Sequence, residues 1–138
     1  MIWDSVKEVY ILESKGEDAI REIFSKAGFP EMAEGVIERE RLFPSSIGKG
    51  IYLIRRMADV EEPSLFIGRS ESDLGLEAYD DKPIKLLLLA LLPEDEEQYA
   101  TYLAHLFKLL NIQSIREDLL NVRNEEEAST IFRREEEG

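Results

Sequence analysis

The stretch from Ile84 to Leu92 constrains this chain more than any other. It is apolar at every position but Lys85 and is bounded by Pro83 and Pro93. Such a run has no face to offer water, so both of its sides must be covered by other parts of the fold. It is far shorter than the ~20 residues a bilayer span requires. Its length and flanking prolines suit a strand better than a helix. A strand buried on both faces demands a layer of structure on each side of its sheet, and the rest of the chain must supply those layers.

The apolar spacing elsewhere does so. Ala19, Ile20, Ile23, Phe24 and Ala27 follow the i, i+3, i+4 rule of a helix over Glu17–Lys26, with Gly28 as its stop. A second helix opens at Pro30 and carries Met32, Ala33, Val36, Ile37 and Arg41 on one stripe to about Phe43. Pro44-Ser45-Ser46 breaks it, and Ile47-Gly48-Lys49-Gly50 is a flexible turn. Ile51–Ile54 and Ser64–Arg69 read as strands, and Val6, Val9 and Ile11 alternate as in a further extended segment. Ser70–Lys82 reads as loop. The clearest helix is Glu94–Leu110, with acids crowding its first turn. Shorter helices follow over Ser114–Val122 and Asn124–Phe132. The expected architecture is therefore a three-layer α/β fold, a mixed β-sheet flanked by helices on both faces. The 138 residues form a single domain, with residues 133–138 as a fraying tail.

Composition then removes chemistries. With no cysteine there are no disulfides, thiolate metal sites or cysteine nucleophiles. With one histidine, His105, a chain has no two-histidine metal site. On a helical wheel His105 falls about 130° from the apolar face and is expected to face solvent. Lys+Arg is 17 and Asp+Glu is 30, giving a net charge of −13. That field repels nucleic acid and anionic membranes. Neither is expected as a partner, and a cytoplasmic location follows most simply. The turn Ile47–Gly50 is followed by a strand, so it lacks the loop-to-helix geometry of a phosphate loop. No cofactor or metal is expected.

Basic residues are scarce enough that their grouping matters. Arg39 lies near the end of the second helix, and Arg55, Arg56 and Arg69 lie near the ends of two strands. Guanidinium forks grip carboxylates and phosphates bidentately. These four arginines are the candidate anion-binding or partner-binding residues. The plain alternative is that each pairs with a neighbouring glutamate.

The stretch Glu38-Arg39-Glu40 through Ile47-Gly48-Lys49-Gly50-Ile51-Tyr52-Leu53-Ile54-Arg55 resembles a signature of the type-2 EIIA domains of the bacterial sugar phosphotransferase system, the fructose, mannitol and nitrogen-regulatory group. Their pattern runs close to I-G-x-G-I-A-I-P-H, and its final histidine accepts the phosphoryl group. The order of elements is similar as well, through a strand at Pro63–Arg69 and an Asp-x-x-Pro entry at Asp80 to the apolar strand. The resemblance spans roughly residues 8–133. It implies the EIIA type-2 fold, with Arg39 as the arginine that flanks the acceptor. Where that acceptor belongs, this chain has Arg55. A second family histidine falls near Tyr99 and is absent too.

A guanidinium stays protonated and offers no usable lone pair, so Arg55 cannot relay a phosphoryl group as an imidazole does. The expected function is a non-enzymatic, EIIA-like regulatory domain. It acts by contact with a protein such as a transporter or a phosphotransferase component, and its former phosphorylation pocket is now an arginine-lined anion site. The alternatives are a sensor of a phosphorylated metabolite or nucleotide, a phosphocarrier using His105 or Ser45, and an unrelated α/β enzyme. A cytosolic piece of a larger membrane protein has the same sequence character.

Overall fold

A computed structural model describes residues 1–138. Its five strands are β1 (Val6–Ile11), β2 (Ser46–Gly48), β3 (Ile51–Met57), β4 (Ser64–Arg69) and β5 (Leu86–Leu92). They form one sheet in the order β1-β4-β5-β3-β2. The β3–β5 and β1–β4 pairs are parallel, while β4–β5 and β2–β3 are antiparallel. The apolar run is the centre of the sheet, and every residue of β5 is buried. Its alternation divides the core. Leu86, Leu88, Ala90 and Leu92 face one layer, and Leu87, Leu89 and Leu91 face the other.

The first layer is built by α3 (Glu96–Leu110), α4 (Gln113–Leu119) and α5 (Glu125–Glu137). The second is built by α1 (Glu17–Ala27) and α2 (Ala33–Leu42). The three-layer mixed sheet expected from the sequence is the fold observed. No helix is long and apolar enough to cross a membrane.

Five local expectations change. β3 runs on to Met57 because β5, its parallel neighbour, continues to Leu92 and pairs Arg55 with Ala90 and Met57 with Leu92. The supposed flexible turn contains β2, hairpinned to β3 through Gly48, Lys49 and Gly50, all at positive φ. Arg41 is exposed and Glu40 takes its place on the inward stripe of α2. The tail does not fray. α5 is helical through Glu137, because the Glu136 carboxylate is fully enclosed and accepts hydrogen bonds from Ile2 N (2.9 Å), Trp3 N (2.8 Å) and His105 Nε2 (2.8 Å). His105 is accordingly half-buried rather than free in solvent.

Candidate functional site

β2 ends opposite the first residues of β3, so the far half of β3 is an uncovered sheet edge. Leu53 donates its amide to Ser45 O on that side. The carbonyls of Leu53 and Arg55 point the same way and have no strand beyond them. Such an edge invites pairing with another chain and is commonly guarded by charge. Here two arginines guard it from opposite faces. Arg55 shares the parity of Ile51 and Leu53 and lies on the α3 side. Its guanidinium sits 5.3 Å from the Phe107 ring centre and donates a long bond (3.4 Å) to Leu53 O. Arg56 shares the parity of Tyr52 and Ile54 and lies on the α2 side. It donates to Arg55 O (2.7 Å) and to Glu40 Oε2 (3.3 Å). The two side chains leave opposite faces yet curl onto carbonyls two residues apart, about 7 Å along the strand.

Glu40 organises the α2 side. Its side chain is 5% exposed and accepts from Tyr52 OH (2.7 Å), Ser45 N (2.8 Å) and Arg56. Burial, and then the bond to Glu40, pushes the Tyr52 hydroxyl well above the ordinary tyrosine range. Sequence reasoning named Glu40 only as part of a motif. The signal for its role was present, since position 40 follows the buried Val36 and Ile37 by four and three. Arg39, its neighbour, is exposed and makes no ion pair. Arg55 makes none either, so most of its N–H donors remain free.

Arg69 does not join this group. β4 runs antiparallel to β5 while β3 runs parallel to it, so the last residue of β4 lies at the start of β3. Arg69 pairs with Leu86, level with Ile51 and about 13 Å along the sheet from Arg55. Its Nε donates to Val122 O at 2.5 Å. Grouping Arg69 with Arg55 and Arg56 because all three lie near strand ends overlooked these opposed directions.

His105 is also elsewhere. Positions 105 and 107 are about 200° apart on α3, so Phe107 meets Arg55 while His105 looks away. His105 lines an acidic groove with Asp4, Glu62, Asp95 and Glu97. No group of histidine and acidic side chains is arranged to hold a metal ion.

The family described as EIIA 2 of the phosphoenolpyruvate-dependent sugar phosphotransferase system matches residues 10–135. The fructose-specific EIIA component of Haloferax volcanii is 29% identical over 101 residues, 72% of this chain and 66% of its own length. The chain thus spans just under two thirds of that relative. The nitrogen regulatory protein IIA-Ntr of Neisseria meningitidis shares the fold at TM-score 0.71 and 23% identity, covering 94% of this chain and 97% of that one. The mannitol IIA of Escherichia coli, solved in complex with phosphorylated mannitol IIB, shares it at TM-score 0.65 and 19% identity, covering 89% and 92%. The matched span takes in four of the five strands whole, the end of the other, four helices whole and α5 up to its last two residues, and this chain belongs to the EIIA type-2 family of the sugar phosphotransferase system.

Proposed function

We infer that this EIIA-type domain is regulatory and non-catalytic. It acts in the cytoplasm by docking a protein partner, a transporter or a phosphotransferase component, through an anion-binding edge at Arg39, Arg55 and Arg56. One observation carries the reading. Residue 55, where the family resemblance puts the acceptor histidine, is an arginine without a carboxylate partner in a chain of net charge −13. An uncompensated guanidinium against that background attracts an acidic or phosphorylated group rather than accepting a phosphoryl group covalently. Arg39, also without an ion pair, adds a second fork. Leu42 and Phe43, 74% and 70% exposed beside it, offer apolar contact to the same partner. The mannitol relative forms a complex with its phosphorylated IIB, a precedent for this kind of docking.

A phosphocarrier role through another residue has little support. His105 faces away from Arg55 within an acidic groove that repels a phosphoryl donor. Ser45 gives its amide, and not its hydroxyl, to the Glu40 carboxylate. Incubation with a phosphorylated phosphocarrier protein, read by intact mass, should give no phosphoryl adduct. An adduct on His105 or Ser45 overturns the non-catalytic reading. Inorganic phosphate titrated against wild type and Arg55→Ala should bind about tenfold more weakly to the variant, as expected for one lost charge-assisted contact. Equal affinity in the two proteins rules out Arg55 as part of an anion site.

A further inference from the structure

A second basic cluster lies at the opposite end of the sheet. Lys49, Lys82, Lys85 and Arg116 line one open groove of about 530 Å³, together with Gly50 of the β2–β3 hairpin and Leu86, the first residue of β5. None of the four is in an ion pair. In a chain where acids outnumber bases 30 to 17, four cations free of ion pairs in one groove make a marked local excess of positive charge.

Two carboxylates lie near the cations, each bonded to neutral donors and each keeping its charge. Glu117, the acid of the groove lining, accepts from Gln113 Nε2 at 2.7 Å. Asp80 at the rim takes the amides of Lys49 (2.8 Å) and Lys82 (3.2 Å) on its two oxygens. Those amides, and with them the Lys82 charge, hold the Asp80 carboxyl below its ordinary range, so Asp80 and Glu117 offset part of the charge of the four cations and leave an excess of positive charge in the groove. Two of the cations are also held in place. Lys49 Nζ donates to Asn111 Oδ1 (2.7 Å), and Arg116 donates to Leu110 O (3.0 Å). Holding a charge on a neutral acceptor keeps its position without cancelling it. Leu86 and the half-exposed Leu120 give the groove an apolar wall.

We propose that this groove binds a compact phosphorylated small molecule, held by Lys49, Lys82, Lys85 and Arg116 at the end of the sheet remote from Arg55. The groove volume falls in the range that small ligands occupy, roughly 300–1,000 Å³. Three lysines as point charges beside one planar guanidinium suit a group of nearly two negative charges, as a phosphate monoester carries, better than a lone carboxylate. The net charge of the whole chain selects for compactness. A small ligand sits within a Debye length of the four cations, whereas an extended polyanion runs on over the acidic surface. The site shares no residue with the Arg39–Arg55–Arg56 edge and stands or falls independently of it.

The test is an NMR titration of the full ¹⁵N-labelled chain with pyrophosphate and, separately, glucose 6-phosphate at low ionic strength. Saturable shifts are expected at the amides of Lys49, Gly50, Lys85 and Arg116, unchanged in Arg55→Ala. The double variant Lys82→Ala/Lys85→Ala should bind at least about tenfold more weakly with an unaltered melting temperature, while Lys85→Arg retains binding. Non-saturable shifts, equal affinity in the double variant, or shifts confined to the Arg55 edge overturn the proposal. So does a single-stranded RNA that displaces pyrophosphate at equal phosphate concentration.

Discussion

At the scale of single residues, Glu40 shows how a buried charge is made tolerable. A carboxylate with one side chain's worth of exposure removed must recover its hydration from protein donors. Glu40 recovers it from a hydroxyl, an amide and a guanidinium, drawn from β3 and the α2–β2 connection. Removing the acceptor strands Tyr52 OH and Ser45 N and frees Arg56. Glu40→Ala should therefore cost about 3–5 kcal/mol in urea unfolding, the range for breaking a buried pair. Tyr52→Phe, which removes one donor and leaves the charge otherwise served, should cost about 1 kcal/mol. Comparable small losses in both would show that Glu40 is better solvated than its burial implies. Arg55 was legible in the sequence as a candidate because scarcity of cations gave it weight. Its seat over Phe107 was not, since a cation–π contact joins elements whose packing no local spacing records.

At the scale of elements, the α1 helix is tied by one acid to the loop that follows β1. Glu22 Oε1 and Oε2 accept from the amides of Glu13 and Ser14, and Lys26 bonds Oε2 at 2.7 Å. Burial works to raise its pKa, but the bonds from Lys26, Ser14 and Glu13 together outweigh it and leave the carboxyl below its ordinary value. The sign of the consequence follows from linkage. A depressed folded-state pKa adds stability above the unfolded value of about 4.3, and that stability is lost as pH falls through the folded value. The melting-temperature advantage of wild type over Glu22→Gln should be full at pH 7 and shrink toward pH 3. An advantage independent of pH would mean that the amide bonds and not the charge hold the loop. The α5 N-terminus is simpler. Asn124 Oδ1 accepts from Glu127 N at 2.9 Å, and Asn124→Ala should cost about 1 kcal/mol by thermal unfolding.

At the scale of the whole molecule, the chain is closed by its two ends. Glu136 receives the amides of Ile2 and Trp3 together with His105, Ser129 Oγ donates to Trp3 O (2.8 Å), and the Arg133 guanidinium lies 4.4 Å from the Trp3 ring centre. These contacts join the N-terminal segment, α3 and α5 across the layer that covers β5. Glu136→Ala leaves two backbone amides without an acceptor, at about 1–3 kcal/mol each. Trp3 is the one tryptophan, so its fluorescence should shift to the red in Glu136→Ala, and its amide should lose hydrogen-exchange protection. An unchanged spectrum would mean that the end of α5 contributes nothing to closure.

What the amino-acid order determined by itself was the architecture. An apolar run with no solvent face requires two covering layers, and the helical periodicities of residues 17–42 and 94–132 identify what covers it. Those are local patterns, and local patterns are read from spacing alone. The tertiary structure decided which strand ends share an end of the sheet, and so separated Arg69 from Arg55. It also turned an acidic tail into the clasp at Glu136 and gathered Lys49, Lys82, Lys85 and Arg116 into one groove. Each of these depends on strand direction and long-range packing, and residues far apart in sequence carry no periodicity that records where they meet.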